Sequence, residues 1–356
     1  RHKNYDRAGQ GRSPGQYFGR ILSPRIMKAR IEDISYALPG AVVTNDALHE
    51  AHPAWDFTQL EERTGVSQRC IASPDETALD LAETACRDLD LDGVDGLLFC
   101  TETPDHPIPP NSCILHGRLE LPETVLALDI NMGCSGYVYG LELARALIVA
   151  GSAKKVLLVT GDTYSRLINP GDRATRVVFG DGVAASLIVA CEDNEGILDI
   201  SLGTAGKLHD RFIVPAGGTR LAGSDETRME KTDKSGNVRT DEDIVMDGFG
   251  MLSFVNAKVP VSVKSLLESN KLGLEDVDVF VFHQASKVVL ESLQRNLKIS
   301  DDKMINNMNM TGNLVSASVP VSLKIAIDAG QAKPGNLALL CGFGVGLSWA
   351  TALVRL

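Results

Sequence analysis

The residue of this chain best suited to chemistry is a cysteine at a predicted strand-to-helix turn. Cys134 lies in the run NMGCSG at 131–136, after an apolar run at 125–130 that predicts a strand and before a helical pattern that ends at Gly151. Unpaired N–H groups at a helix N-terminus carry partial positive charge, which favours the nucleophilic thiolate. The alternative is a small buried cysteine packed at a turn, the usual state of a free cysteine.

Two further polar residues follow buried segments in the C-terminal half. The strand predicted at 279–282 ends in His283, at the carboxyl edge of the sheet, where open α/β folds place their sites. Asn313 follows Gly312 in a turn before a predicted helix. Taken alone, His283 is explained as a hydrogen-bonded structural histidine and Asn313 as a turn residue. The closing turn GFGVG at 342–346 lets backbone N–H groups approach a ligand, but it lacks the lysine and spacing of a P-loop.

The elements that position these residues repeat between the two halves of the chain. An acidic turn and a buried strand occur around Asp95 and again around Asp278. A strand–turn–helix unit follows each, with Cys134 placed 39 residues after Asp95 and Asn313 placed 35 residues after Asp278. Alternating buried strands and helices predict α/β layers with largely parallel sheets, and a duplication would bring the matching turns together at the centre. Chance similarity between ordinary βαβ units is the alternative.

Composition excludes several classes of protein. The 356 residues are 44% hydrophobic, which allows a large core and two domains or halves. A net charge of −11 offers no basic excess to neutralise phosphates, so we expect no nucleic-acid partner. No apolar run reaches the length of a membrane span, so we expect no membrane partner. Seven scattered cysteines without CxxC pairs indicate reduced thiols in a cytoplasmic protein, and neither a disulfide framework nor a zinc site.

The first 26 residues differ from the rest of the chain. They carry six Lys or Arg residues against one acidic residue, with no apolar region of the kind found in secretory signals. An Arg-rich transit peptide is one interpretation. We favour a disordered leader at 1–26, either added by cloning or translated upstream of a start at Met27.

A set of motifs occurs in an order that resembles one family, β-ketoacyl-acyl-carrier-protein synthase III, whose members are condensing enzymes with the thiolase fold. In chain order the motifs are RTGV at 63–66, GCSG at 133–136, DR at 172–173, FGDG at 179–182, HQA at 283–285, GN at 312–313 with SAS at 316–318, and GFGVGLSW at 342–349. The resemblance covers residues 27–356. It implies an α/β, thiolase-like fold with five layers, αβαβα, built from two duplicated halves, and usually a homodimer. The N-terminal half at 27–200 carries Cys134, and the C-terminal half at 201–356 carries His283 and Asn313.

The resemblance also implies a reaction, which fits the chemistry of these side chains. Cys134 would attack an acyl thioester and hold the acyl group covalently, while the backbone N–H groups of Cys134 and Val345 stabilise the oxyanion. His283 and Asn313 would hydrogen-bond the enolate formed when malonyl-acyl-carrier protein loses carbon dioxide. The implied protein is an acyltransferase that performs decarboxylative Claisen condensation, in fatty-acid or specialised acyl or polyketide-type biosynthesis. No metal or redox cofactor is required.

The resemblance points to two arginines that contact the nucleotide part of coenzyme A, Arg63 and Arg173. The family's usual adenine-stacking tryptophan corresponds to Gln59 here, with Trp55 one helical turn earlier. Both acyl-coenzyme A and acyl-carrier protein therefore stay open as the acyl donor.

Four positions correspond to substrate-binding positions of the family. Phe249 lies in a segment that resembles the substrate tunnel, and Phe343 and Gly344 lie in the closing turn. Ile108 stands where a phenylalanine of the partner subunit often closes the acyl pocket. Because isoleucine is smaller, we expect a pocket that accepts acyl groups longer than acetyl.

A helix-like stretch after His283 carries Lys287, Arg295 and Lys298, which are candidates for docking an acidic carrier protein. A solvated helix face is the commoner meaning of such charges. Three other functions also stay open: acyl transfer to oxygen or nitrogen or acyl–acyl joining without decarboxylation, a non-catalytic dimer partner, and a thiolase that uses Cys341 as a second cysteine.

Overall fold

A computed structural model describes residues 28–191 and 195–356 of the chain. The predicted leader at 1–26 lies outside the described residues. In the described residues, the strands are β1 (Lys28–Ala37), β2 (Val42–Thr44), β3 (Gln68–Cys70), β4 (Gly96–Cys100), β5 (Leu126–Ile130), β6 (Lys155–Asp162), β7 (Gly182–Cys191), β8 (Gly196–Thr204), β9 (Phe212–Ile213), β10 (Lys231–Thr232), β11 (Val238–Arg239), β12 (Val245–Met246), β13 (Val279–Phe282), β14 (Leu337–Gly344) and β15 (Ser348–Arg355). The α-helices are α1 (Asn45–Ala51), α2 (Phe57–Thr64), α3 (Ala78–Cys86), α4 (Asn111–Arg118), α5 (Gly136–Val149), α6 (Arg173–Arg176), α7 (Gly248–Ser269), α8 (Lys287–Leu297), α9 (Met308–Thr311) and α10 (Ser318–Asp328). None of these helices combines the length and apolarity needed to cross a bilayer.

Two large sheets share one topology. The first has the strand order β1-β7-β6-β4-β5, with β4 parallel to both β5 and β6, and with β7 antiparallel to its neighbours. The second has the order β13-β14-β15-β8, with β13 parallel to β14 and with β15 antiparallel to its neighbours. A parallel bridge between Phe280 and Met304 stands where β5 stands in the first sheet. The predicted repeat between the halves is therefore present in the order and direction of the strands.

The sheets and helices form five layers, as predicted. Helices α5 and α10 lie between the two sheets and share one apolar core with both of them. Helices α3 and α4 cover the outer face of the first sheet, while α7 and α8 cover that of the second. Because both faces of each sheet are covered, central strands such as β4 are buried at every position, which explains their continuous apolar runs.

The boundary between the halves stays a proposal. Among the described strands, β8 pairs with β15 alone, in the second sheet. It spans Gly196–Thr204, so the predicted division at 200/201 falls inside a strand. A division just before Gly196 leaves each sheet intact, and we propose it as the boundary.

Candidate active site

Cys134 lies in the turn between β5 and α5, just before the helix begins at Gly136. Its side chain is buried, with 3% of the residue exposed. Glycines make this packing feasible: a Cβ at position 136 would lie 2.3 Å from Cys100 Sγ, and one at position 344 would lie 2.7 Å from Cys134 Sγ. The glycine-rich turn after β14 therefore approaches the sulfur more closely than any larger residue would allow.

A cavity of about 440 Å³ brings the predicted catalytic residues together. Cys134, His283 and Asn313 all line it, and so do Phe343 and Gly344. The remaining lining is largely apolar and comes from both halves: Arg63, Thr64, Ala174, Val178, Phe179, Phe212, Met246, Gly248, Met251, Val255, Ala285, Ser286, Val288 and Val289. Cys134 and Asn313, which are 179 positions apart in the sequence, thus face one space, because the matching turns of the two halves meet at the centre of the molecule.

His283 is held as a neutral imidazole. It follows β13, its backbone N–H donates to the Cys341 carbonyl at 2.7 Å, and its ring packs edge-on against Phe343 at 5.5 Å. Burial lowers the pKa of His283 to about 3, and a hydrogen bond with the Val315 backbone acts in the opposite direction. At neutral pH the ring therefore carries one N–H group, which makes it a hydrogen-bond donor without charge.

The amide of Asn313 is oriented by its own turn. The backbone of Asn313 bonds to Val178 and Gly180 at 2.9 and 3.0 Å, which ties the turn to the first half. Its side-chain Oδ1 accepts from the Val315 N–H at 2.9 Å. Within the described part of the chain, the Nδ2 group has no such partner, so it is available to donate into the cavity.

The electrostatics at Cys134 combine opposing effects. Burial, and after it the charge of Glu102, raise the pKa of the Cys134 thiol above its ordinary value. The backbone N–H groups of Val345 and of Cys134 itself act to lower it. The net pKa shift of Cys134 is upward, whereas a helix N-terminus alone would lower the pKa. Desolvation of the thiolate outweighs the effect of the nearby N–H groups. Both predicted oxyanion donors nevertheless interact with the sulfur.

Sequence reasoning missed an acidic cluster beside Cys134, formed by Glu102, Asp162 and Tyr164. The Tyr164 hydroxyl donates to Glu102 Oε2, and Asp162 accepts from the Glu102 backbone N–H at 2.7 Å and from Ser316 Oγ at 2.6 Å. Burial and the charge of Asp162 raise the pKa of Glu102 to about 7. The signal was present in the sequence, since Glu102 and Asp162 lie at the carboxyl ends of the buried strands β4 and β6, the edge where α/β sheets place their sites.

The predicted binding residues lie at different depths. Arg63 lines the main cavity, whereas Arg173 lies beside the lining residue Ala174 and donates to the Ser235 carbonyl at 3.3 Å. Phe249 is 83% exposed, next to Gly248 at the cavity wall. Ile108 is 84% exposed and does not line the cavity within this protomer. Their roles in binding stay predictions.

The three predicted docking residues are not equivalent: Lys287 and Arg295 lie on α8, and Lys298 caps its C-terminus. Lys287 begins the helix beside the lining residue Ser286. Arg295 and Lys298 lie eight and eleven residues further along, about 12 and 16 Å away by the rise of a helix. Glu291 forms ion pairs with Lys287 at 4.0 Å and with Arg295 at 3.6 Å, which reduces the positive charge of this face. Lys287 is therefore the best placed of the three for docking at the cavity.

Cys341 lies away from the cavity. It is buried in β14, its Sγ lies 3.5 Å from Thr351 Oγ1, and burial raises its pKa to about 12. A thiolase reaction with Cys341 as the second cysteine is therefore disfavoured. Among residues 28–191 and 195–356, no cluster of three or more His, Cys, Asp or Glu residues has the arrangement of a metal site. The expectation that no metal or redox cofactor is needed stays a prediction.

The duplicated five-layered fold, with a buried cysteine, a histidine and an asparagine around one central cavity, defines a condensing acyltransferase of the thiolase fold. Two family models match the chain, 3-oxoacyl-[acyl-carrier-protein] synthase III at residues 128–206 and its C-terminal domain at residues 267–356. The chain belongs to the β-ketoacyl-[acyl-carrier-protein] synthase III family. The predictions of the family, of the thiolase-like fold and of a condensing acyltransferase are confirmed.

Individual relatives support this assignment over nearly the whole chain. A β-ketoacyl-[acyl-carrier-protein] synthase III of Caldanaerobacter subterraneus subsp. tengcongensis is 34% identical, over 89% of this chain and 95% of its own length. A solved 3-oxoacyl-(acyl-carrier-protein) synthase III is 40% identical, with a TM-score of 0.90, and covers 92% of this chain and 100% of its own. The priming β-ketosynthase of the R1128 polyketide pathway is 26% identical, with a TM-score of 0.81, over 92% of this chain and 96% of its own.

Proposed function

We propose that this protein joins an acyl thioester to malonyl-acyl-carrier protein by decarboxylative Claisen condensation, through an acyl-cysteine intermediate on Cys134. The observation that carries the proposal is the meeting of Cys134, His283 and Asn313 in one cavity, with the Val345 backbone N–H acting on the sulfur. A nucleophile, an oxyanion site and two neutral donors are the groups that the two half-reactions need.

In the first half-reaction, Cys134 Sγ forms a bond to the acyl carbon. The carbon–sulfur bond of the donor thioester breaks, and the thiol proton of Cys134 leaves with the released thiol. The N–H groups of Cys134 and Val345 stabilise the tetrahedral oxyanion. Because burial raises the pKa of the thiol, we expect this step to accelerate as pH rises.

In the second half-reaction, malonyl thioester loses carbon dioxide, and the electron pair of the broken carbon–carbon bond stays on the α-carbon as an enolate. The N–H of His283 and the Nδ2 group of Asn313 stabilise the enolate oxygen. The α-carbon then bonds to the acyl carbon, the bond to Cys134 Sγ breaks, and the sulfur takes up a proton. A neutral His283 suits this role, since it donates a hydrogen bond without needing to be charged.

The two substrates share one entrance. Arg63 lines the main cavity and Lys287 begins α8 beside it, so both side chains are placed to bind a phosphate-bearing donor or an acidic carrier protein. We propose these two residues as the principal charged contacts, with Arg173, Arg295 and Lys298 further out. Coenzyme A and carrier protein both remain proposed carriers of the acyl group.

A homodimer is the proposed assembly. β5 is an edge strand of the first sheet, and two of its leucines are exposed, Leu126 at 41% and Leu128 at 51%. An unpaired apolar edge strand is a ready template for pairing with a second copy. Ile108 is also exposed, which fits the prediction that it reaches the acyl pocket of the other protomer. We further propose a reducing, cytoplasmic location, supported by seven cysteines that are scattered through the sequence without CxxC pairs.

Intact-protein mass spectrometry tests the proposal. The wild type is incubated with acyl groups of two to ten carbons, each supplied on coenzyme A and on carrier protein, and malonyl-carrier protein is then added. We expect a mass gain equal to the acyl group, its loss upon addition of the malonyl substrate, and a β-ketoacyl product. Cys134→Ala abolishes the adduct, whereas Cys113→Ala, which removes an exposed free thiol, retains it.

Two results count against the proposal. An adduct that survives Cys134→Ala excludes Cys134 as the nucleophile. An acylated enzyme that transfers its acyl group to a hydroxyl or amine, and forms no carbon–carbon bond with malonyl-carrier protein, identifies the protein as an acyltransferase of the alternative kind.

A further inference from the structure

A second cavity, of about 350 Å³, adjoins the main cavity. Phe212 lines both cavities, and the lining residue Val345 follows Gly344, which lines the main cavity. Its remaining lining residues are Glu102, Asn131, Tyr164, Leu167, Ile213, Val214 and Ile244. The main cavity must be vacated by one thioester carrier and entered by the next, so an acyl chain held on Cys134 is best accommodated in this second cavity.

The wall of this cavity nearest the sulfur is acidic. Glu102 and Tyr164 both interact electrostatically with Cys134, and a Cβ at position 133 would lie 2.6 Å from Glu102 Oε2. Tyr164 is 3% exposed, whereas Glu102 is partly accessible. An acyl chain that leaves Cys134 through this cavity therefore passes a carboxyl group within its first few carbons.

Only one carboxyl oxygen of Glu102 accepts a hydrogen bond from another described residue. Tyr164 donates to Oε2, and in the described part of the chain Oε1 accepts no hydrogen bond. The neighbouring Asp162 differs, because both of its oxygens accept, from the Glu102 N–H and Thr101 on one side and from Ser316 on the other. Asp162 thus ties the two halves together, whereas Glu102 presents an unused acceptor to the cavity.

The described residues around Glu102 provide no hydrogen-bond donor for its Oε1. Burial and the charges of Glu102 and Asp162 raise the pKa of Tyr164 well above its ordinary value, so the phenol stays protonated and donates a hydrogen bond to Glu102. No arginine or lysine among the described residues contributes to the pKa of Glu102. The pair therefore lacks a donor for Oε1, and a partly buried acceptor without a donor is unfavourable.

We propose that the acyl group accepted on Cys134 carries a hydrogen-bond donor, a hydroxyl or an amine, close to its carbonyl carbon, and that Glu102 binds this donor. This inference rests on the proposed function and adds the chemical class of the acyl group. An unsubstituted alkyl chain of the same length would remove water from Glu102 without replacing its hydrogen bond. A site built to bond a polar substituent rejects the analogue that lacks it more strongly than an apolar pocket rejects a change of size.

Matched acyl donors test the inference. Butyryl, 3-hydroxybutyryl and 3-aminobutyryl groups, and their six-carbon counterparts, are supplied on coenzyme A and on carrier protein, and the rate constant of Cys134 acylation is measured by intact mass. We expect the substituted chains to react about 10- to 100-fold faster than the alkyl chains at subsaturating donor, the effect of one hydrogen bond to a charged or polar acceptor.

Two variants assign the preference to Glu102, with the ratio of substituted to alkyl rates as the readout. In Glu102→Leu the ratio falls to about one or below. Glu102→Gln removes the charge and therefore loses the preference for amine. Its amide oxygen still accepts from Tyr164, and its NH2 group can donate to the oxygen of a hydroxyl, so the preference for hydroxyl is retained. The unfolding midpoint of each variant reports that the fold is retained.

The outcomes separate this inference from the proposed function. Acylation by butyryl at a rate equal to or above that of both substituted chains overturns the inference and leaves the condensation intact. A preference that persists unchanged in Glu102→Leu also overturns it. Lack of acylation by every donor on either carrier overturns the proposed function and, with it, the inference.

Discussion

The pKa of Glu102 makes a prediction about stability that can be worked from the structure. Burial and Asp162 raise this pKa from 4.5 to about 7. Since a tenfold change in proton affinity corresponds to about 1.4 kcal/mol, ionised Glu102 destabilises the native state by about 3 kcal/mol once the pH exceeds both values. The native protein keeps a proton that the unfolded chain releases, so the free energy of unfolding falls between pH 4.5 and 7 and is level above that range, as far as Glu102 contributes.

Glu102→Gln removes this titration while keeping an oxygen to accept from Tyr164. We expect the variant to match the wild type near pH 4.5 and to exceed it by about 3 kcal/mol at pH 8. For a chain of this size the unfolding entropy is roughly 0.7 kcal/mol per kelvin, so the difference in unfolding midpoint reaches about 4 °C. Asp162 remains in both proteins, so the difference between them isolates Glu102.

Thermal unfolding is followed at fixed protein concentration from pH 4.5 to 8. Glu226→Gln, which removes one exposed carboxylate, is the matched control and is expected to leave the profile unchanged. Tyr164→Phe tests the same reasoning with the opposite sign, because loss of its hydrogen bond raises the pKa of Glu102 further and steepens the loss of stability. A difference in unfolding midpoint between wild type and Glu102→Gln that is the same at pH 4.5 and at pH 8 would refute the reasoning.

Three further predictions concern the reaction. Asn313→Ala removes one of the two proposed enolate donors, so we expect Cys134 acylation within about twofold of wild type and condensation about 10²- to 10³-fold slower, measured by single-turnover kinetics of each half-reaction. In the proposed dimer, Ile108→Phe fills the acyl pocket of the partner subunit, so we expect kcat/KM for acyl chains longer than four carbons to fall about 10- to 100-fold while acetyl is retained, measured with an acyl-donor series. Lys287→Glu reverses a charge at the cavity, so we expect KM for malonyl-carrier protein to rise roughly 5-fold with kcat unchanged and a weaker dependence on salt, measured by steady-state kinetics at two ionic strengths.

Two of these predictions have a matched control variant. Asn309→Ala changes a nearby asparagine on α9 that does not line the main cavity, and it is expected to leave both half-reactions unaffected. Lys264→Glu reverses an exposed charge on α7 and is the control for docking. Equal losses of acylation and condensation in Asn313→Ala, an unchanged chain-length profile in Ile108→Phe, or identical effects of the two lysine reversals would contradict the respective prediction.

The sequence was sufficient for most of the architecture. Apolar strands, helical spacing and the repeat around Asp95 and Asp278 predicted two α/β halves, and the matching strand orders of the two sheets agree. The elements were predictable because hydrophobic periodicity is local. The predicted boundary at 200/201 cuts β8, since nothing local distinguishes a strand of the first sheet from one of the second.

The candidate catalytic residues could also be predicted from the sequence, whereas their pKa shifts could not. The motifs around Cys134, His283 and Asn313 are short and ordered, so they identify the family and predict that the three side chains share a site. The sign of the pKa shift at Cys134 was not predictable, because it depends on how much water the folded protein removes from the sulfur and on the distance to Glu102.

From the sequence alone we could therefore predict the two α/β halves, their duplication and the candidate catalytic side chains. Tertiary structure alone decided that Glu102 and Tyr164 face a second cavity beside the sulfur, that Cys341 lies away from it, and that Lys287 is closer to the main cavity than Arg295. The physical reason is that strand identity and helix spacing are encoded over a few residues, whereas burial, charge and cavity shape arise only when elements far apart in the chain pack together.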